Sequence, residues 1–287
     1  MPEPTDEDVG NIVLLEHINV QVPAQTVASL FYVTGLGLTR DPYLNVGLQN
    51  MWVNVGEQQF HLPTRQVQVI DGLIGLVVPG LEGLRERLIS LQEPLKDTCF
   101  CWSGEEADYV DVTGPWGNQF RCHRAGAMFG DMRLGIAYIE FNVPVGAVGA
   151  ISRFYDRVFE APCPTRSDPD GSLAVIKVGR NQVLRFREVK RTIAPYDGHH
   201  IAIYVTKFSA AYDFLRDRNL VLGHIENHQF RFQEIIDPDS YASVFRLEHE
   251  VRSLYHPMFG RPFINRDTQQ SQRTYRRGRD QLVFDGC

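Results

Sequence analysis

The 287-residue sequence has no excess of basic residues: 29 Lys and Arg stand against 35 Asp and Glu, a formal charge of −6. A chain without a basic surface field has little to attract a polyanion, so nucleic acid is not an expected partner. Long apolar runs are missing too. The longest, such as Leu73 to Val78 and Ile201 to Val205, fall far short of the roughly 20 residues that a bilayer span requires, which excludes a membrane partner of the helix-spanning kind. Residues Met1 to Gly10 lack the basic and apolar stretches of a secretory leader and carry Glu3, Asp6, Glu7 and Asp8 instead. Cysteine is scarce and odd in number, at Cys99, Cys101, Cys122, Cys163 and Cys287, which excludes a fully paired disulfide framework and predicts a reducing, cytoplasmic location. Cys99 and Cys101 have the wrong spacing for a zinc knuckle and no second pair.

What remains is a chain with 43% hydrophobic and 22% charged residues, the balance of a soluble globular protein, and a length that predicts two domains rather than one. Its main feature is an internal repeat. Four segments share an apolar stretch ending in Val-Pro or Val-Thr: 17–23, 73–79, 138–144 and 200–206. They open with His17, Leu73, Tyr138 and His200, and recur at a period of roughly sixty residues, too long for a solenoid unit of the leucine-rich or tetratricopeptide kind.

Each segment is followed by apolar residues at helical spacing: Val27, Leu30 and Phe31; Leu81, Leu84, Leu88 and Leu91; Val148, Ile151, Tyr155 and Val158; Phe208, Tyr212 and Leu215. Turn signals cut the remainder into short extended pieces, so each unit reads β-α-β-β-β. The last strand recurs as well, as Phe60-His61-Leu62, Phe120-Arg121-Cys122, Leu184-Arg185-Phe186 and Phe245-Arg246-Leu247. Strand side chains alternate faces, so His61, Arg121, Arg185 and Arg246 are expected to line a cavity while their neighbours pack under the helices.

With a polar residue opening the first strand, a helix ending in Phe31-Tyr32 before Gly35-Leu36-Gly37-Leu38, and Pro115-Trp116-Gly117-Asn118 before a last strand, the sequence resembles the vicinal oxygen chelate superfamily. That superfamily includes glyoxalase I, bleomycin-resistance proteins, fosfomycin-resistance enzymes and extradiol dioxygenases. The resemblance covers about residues 12 to 255. It implies an α+β fold of four βαβββ units forming two barrel-like domains, 12–125 and 133–255, with residues 256–287 as an irregular tail.

The resemblance also implies metal ligands on the first and last strands of paired units. Carried onto this chain, the first domain offers His17 and His61, with Arg121 and His123 beside them. The second offers His200 and Glu248 as ligands, Tyr138 and Glu140 as catalytic groups, and Arg185 and Arg246 as substrate-binding groups. The implied cofactor is one divalent metal, Fe, Mn or Zn. A guanidinium about 5 Å from a divalent cation, at an effective dielectric of about 20, costs roughly 6 to 7 kcal/mol. Arg121 therefore favours an anion in the first domain, whereas Glu140 and Glu248 can balance Arg185 and Arg246 in the second.

Other readings stand beside these. His17 and His61 can be half-buried structural histidines, and Arg185 and Arg246 can form ion pairs with Glu140 and Glu248. Leu-Glu-His-Glu (247–250) lies in extended sequence and lacks the helical pairing of a zincin. The functional expectation is a glyoxalase- or dioxygenase-like enzyme, of lyase, isomerase or dioxygenase type, acting on a small oxygen-bearing, anionic molecule. The alternative is a metal-free binding or sequestration protein of the bleomycin-resistance type. The tail, with Arg266, Arg273, Arg276, Arg277 and Arg279, is expected to wrap over a barrel or to reach a second subunit of a homodimer.

Overall fold

The computed structural model describes residues 8–42, 47–105, 107–169 and 171–261. Four β-α-β-β-β units follow one another. The first is β1 (Ile12–Asn19), α1 (Gln25–Ala28, continued by a π-helical segment Ser29–Gly35), β2 (Thr39–Arg40), β3 (Asn50–Val55) and β4 (Gln58–Pro63). The second is β5 (Gly72–Val78), α2 (Leu81–Ser90), β6 (Cys101–Ser103), β7 (Tyr109–Thr113) and β8 (Gln119–Arg124). The third is β9 (Gly135–Pro144), α3 (Val148–Phe159), β10 (Thr165–Asp168), β11 (Gly171–Gly179) and β12 (Gln182–Val189). The fourth is β13 (His200–Val205), α4 (Phe208–Arg216), β14 (Val221–Glu226), β15 (Gln229–Ile236) and β16 (Ser243–Ser253).

His17, Leu73, Tyr138 and His200 all lie on the first strands of their units, each of which runs into a helix. The helices bury the expected faces, with Leu81, Leu84 and Leu88 inward on α2 and Val148, Ile151, Tyr155 and Val158 inward on α3. The fold is α+β, and its units assemble into two eight-stranded sheets, ordered β14-β15-β16-β13-β1-β4-β3-β2 and β10-β11-β12-β9-β5-β8-β7-β6. Neither sheet closes into a barrel: β14 and β2 end one, β10 and β6 the other.

The pairing of units departs from the expected division at residues 125–133. Units one and four share the first sheet through antiparallel β1 and β13, and units two and three share the second through antiparallel β5 and β9. Each unit exposes the same kind of first-strand edge, so the local pattern fits either partner; which edges meet is decided by packing between units. The helices and the apolar sheet faces form one extensive core holding Phe31, Phe60, Phe120, Phe154, Tyr155, Phe159, Phe186 and Phe232. Tyr155 bridges the sheets, its ring packing on Phe186 of β12 and on His249 of β16. With the helix-facing sides consumed by this core, the polar residues of alternate strand positions gather on the opposite faces.

After β16 the chain turns back over the first sheet. Phe259 packs on Tyr204 with ring centroids 4.9 Å apart, Met258 is buried, and Arg261 pairs with Asp41. Residues 256–261 thus cover part of the first sheet; the arginine-rich part of the expected tail, Arg266 to Arg279, lies outside the described residues, as does Cys287. Cys99, Cys101, Cys122 and Cys163 are free thiols. No helix among the described residues is long and apolar enough to cross a membrane.

Candidate metal centre

Three side chains converge on the polar face of the first sheet. His17 on β1, His200 on β13 and Glu250 on β16 place one nitrogen or oxygen each within 4.8 Å of one another, and all three are buried or nearly so. The register explains why. β1 runs against β13 with His17 opposite Ala202, and β13 runs alongside β16 with Ala202 opposite Glu250. His17 and Glu250 thus flank the same point on the central strand, and His200, two residues before it, shares their face.

A bulge lies between Leu15 and His17. It lets consecutive residues Glu16 and His17 turn to the same side, which regular alternation would forbid. His17 then donates from Nδ1 to Glu16 Oε2 at 2.5 Å, so its free electron pair resides on Nε2. That Nε2 is buried and has no hydrogen-bond partner among the described residues. Behind the ring, His61 stacks at 3.8 Å between centroids, and Trp52 stacks on His61 at 3.9 Å. His61 hydrogen-bonds through Nε2 to Gln59 at 3.0 Å, so it backs His17 rather than joining the cluster.

The protonation states suit a metal. Burial, reinforced by the Arg252 charge, pushes His17 well below the usual histidine range, and burial brings His200 down to about 3. For Glu250 burial, the largest single effect, acts the other way, but Arg252, His17, Arg231 and His200 together outweigh it and hold the carboxyl well below the usual range. Two neutral imidazoles and one carboxylate are therefore ready as ligands. Glu250 pairs with Arg252 and Arg231, Arg252 also with Glu16 at 2.6 Å, and Arg231 with Glu248 at 2.6 Å. Three carboxylates against two guanidiniums leave the surroundings net negative. Burial lowers the Arg252 pKa, but Glu16 and Glu250 overcome this and raise it.

The other expected site residues are distributed differently. Glu248, two residues before Glu250 on β16, pairs with Arg231. Arg246 is largely exposed and pairs with Glu234 at 2.5 Å, because its strand partner is Glu234 at the outer end of β15, so it does not reach the cluster. Tyr138, Glu140, Arg185 and Arg121 all belong to the second sheet, whereas His200 belongs to the first, so a single second domain does not hold them together. There Tyr138 meets His123 at 3.0 Å, Arg121 pairs with Asp111 at 2.7 Å, and Glu140 pairs with Arg187 at 3.3 Å. Glu16, Glu250, Arg231 and Arg252 were not singled out by sequence reasoning. The signal for Glu250 was Leu-Glu-His-Glu read as a strand, which places both glutamates on one face.

Two eight-stranded sheets built from βαβββ units in this arrangement define a vicinal oxygen chelate fold. The comparison with solved structures agrees. A Bacillus subtilis subsp. subtilis str. 168 protein provisionally named a dioxygenase aligns over 92% of this chain and 90% of its own, at 13% identity and a TM-score of 0.57. Glyoxalase I from Zea mays aligns over 83% of this chain and 91% of its own, at 13% identity and a TM-score of 0.58. At such identities the likeness is one of fold. No family model and no curated protein matches the sequence.

Proposed function

We propose that this protein is a metal-dependent enzyme of glyoxalase or dioxygenase type acting on a small oxygen-bearing metabolite, with His17, His200 and Glu250 holding one divalent ion. The observation that carries this reading is the convergence of two imidazoles and a carboxylate, with an orphaned, buried Nε2 on His17. Two nitrogens and one carboxylate oxygen suit Fe(II), Mn(II) or Zn(II) better than the harder Mg(II) or Ca(II), and three protein ligands leave positions for a substrate. When bound, such an ion polarises substrate oxygens and favours their deprotonated form.

The chain's own residues do the rest. Glu16 fixes the tautomer and orientation of His17, as a carboxylate behind a ligating histidine does in many metal sites. Arg231 and Arg252 keep Glu250 ionised and restrain both of its oxygens. The Trp52–His61 stack excludes water from one side of His17, and the segment ending in Arg261 covers part of the sheet.

The test is elemental analysis of protein purified without an affinity tag or chelator and then reconstituted with Fe(II), Mn(II) or Zn(II). One equivalent of metal in the wild type, lost in His17→Ala, His200→Ala and Glu250→Gln, is the expected result. A wild type that takes up none of the three ions would overturn the reading and leave metal-free sequestration ahead.

A further inference from the structure

The second sheet repeats the backbone of the first but exchanges its chemistry. In the first sheet His200 stands opposite Glu248 in the parallel pair of β13 and β16; in the second, Tyr138 stands opposite Val183 in the parallel pair of β9 and β12. Two positions further along, Glu250 of the first sheet corresponds to Arg185 of the second. Across the antiparallel seam, His17 faces Ala202 and Leu73 faces Glu140. The triad His17, His200 and Glu250 is therefore matched by Leu73, Tyr138 and Arg185. One imidazole has become apolar, the other a phenol, and the carboxylate a guanidinium.

Glu140, the strand partner of Arg185, is turned to Arg187 and leaves Arg185 without an ion pair among the described residues. Arg121 is held by both oxygens of Asp111, at 2.7 and 2.9 Å, and Arg187 by Glu140 and Asp168. Arg185 makes no ion pair or hydrogen bond among the described residues. Its guanidinium lies over the Tyr138 ring, 3.8 Å from the centroid. Stacking occupies the face of the guanidinium and leaves its N–H edge open, which is the edge that forks onto two oxygens. Gly75 makes the stack possible, since a Cβ there would overlap the Tyr138 ring. The Tyr138 hydroxyl meets His123 Nε2 at 3.0 Å, and Tyr138 belongs to a small apolar cluster against which Leu73, Met132 and Val183 pack. A half-buried guanidinium whose N–H edge makes no ion pair or hydrogen bond leaves that edge for an anion to complete.

We propose that this face is a second, metal-free site that binds a small planar organic monocarboxylate, its two oxygens on the Arg185 fork and its apolar body on Leu73 and Val183. One open fork matches one carboxylate; a phosphate dianion would leave charge and acceptor oxygens unmatched, because Arg121 and Arg187 are already committed. The site is independent of the metal centre and lies in the other sheet.

The experiment is calorimetric titration of the metal-free full-length protein with benzoate, benzamide and inorganic phosphate. Benzoate is expected to bind at one site, with benzamide and phosphate each about tenfold weaker or worse, because the charge-assisted pair is lost or mismatched. Arg185→Met should weaken benzoate about tenfold or more, Arg185→Lys should weaken it by less, and Glu250→Gln should leave it unchanged. Shifts of the His123 ring nitrogens on adding benzoate to the wild type supply a readout that needs no variant. The proposal is overturned if the wild type binds no benzoate, if phosphate or benzamide binds as tightly, if folded Arg185→Met binds like the wild type, or if Glu250→Gln abolishes binding.

Discussion

Arg185 stands in the second sheet at the position that Glu250 holds in the first, each two residues beyond the strand partner of Tyr138 or His200. One backbone frame thus presents a carboxylate beside two imidazoles in one half and a guanidinium beside a phenol in the other. The first combination attracts a cation. The second repels one, and Leu73 removes a ligand as well, so the candidate metal centre belongs to units one and four alone.

Glu16 acts on the metal through His17, and its removal should weaken binding without abolishing it. Glu16→Gln keeps a hydrogen-bond acceptor for Nδ1 but loses the charge, so metal affinity should fall about 10- to 100-fold, the usual cost of losing a carboxylate behind a ligating histidine. Competition with a chromophoric chelator measures this. Unchanged affinity would show that Glu16 serves only Arg252.

Arg252 is buried and shared between Glu16 and Glu250. Arg252→Met would leave two buried carboxylates short of a partner, and should destabilise the metal-free protein by about 3 to 5 kcal/mol in urea denaturation. Added divalent metal should restore more stability to this variant than to the wild type, since the freed carboxylates gain most from a cation. Equal metal-induced gains in both proteins would contradict the proposed centre.

His249 faces the core, away from Glu250, and its ring is fully engaged as a neutral group. Nδ1 donates to the Leu247 carbonyl at 2.7 Å, and Nε2 accepts from the Tyr155 hydroxyl at 2.7 Å. Burial brings its pKa down to about 4, the Leu247 carbonyl opposing only in part. Between about pH 6.5 and pH 4 the unfolded chain therefore binds a proton that the folded chain refuses, so stability is full above this window and is lost as pH falls through it. The loss should reach about 3 kcal/mol at its lower end. His249→Gln, which keeps an acceptor for Tyr155, should flatten the urea-derived stability curve over this range; curves of equal slope would refute the assignment.

Much of this molecule can be read from residue order. The apolar spacing of Val148, Ile151, Tyr155 and Val158 yields a helix with that face buried, because side chains three and four apart share one side of a helix wherever it packs. The same holds for the four first strands. Last-strand register is less legible. Phe245-Arg246-Leu247 and Leu184-Arg185-Phe186 look equivalent, yet Arg185 lies two residues after the partner of Tyr138, whereas Arg246 lies two residues before the partner of His200. A shift by an even number of residues keeps every side chain on its face, so the hydrophobic pattern cannot detect it.

The sequence by itself determined the four units, their helices and the inward turn of alternate strand residues, since each follows from local periodicity and short-range packing. The tertiary structure alone decided which units share a sheet, because four similar first-strand edges can pair in more than one way and only packing between units selects among them. That choice brings His17 to His200 across β1 and β13. The bulge that turns Glu16 and His17 to one face, and the register that brings Glu250 rather than Glu248 to the cluster, are likewise products of strand pairing, which joins residues as distant in sequence as Ile12 and Val205.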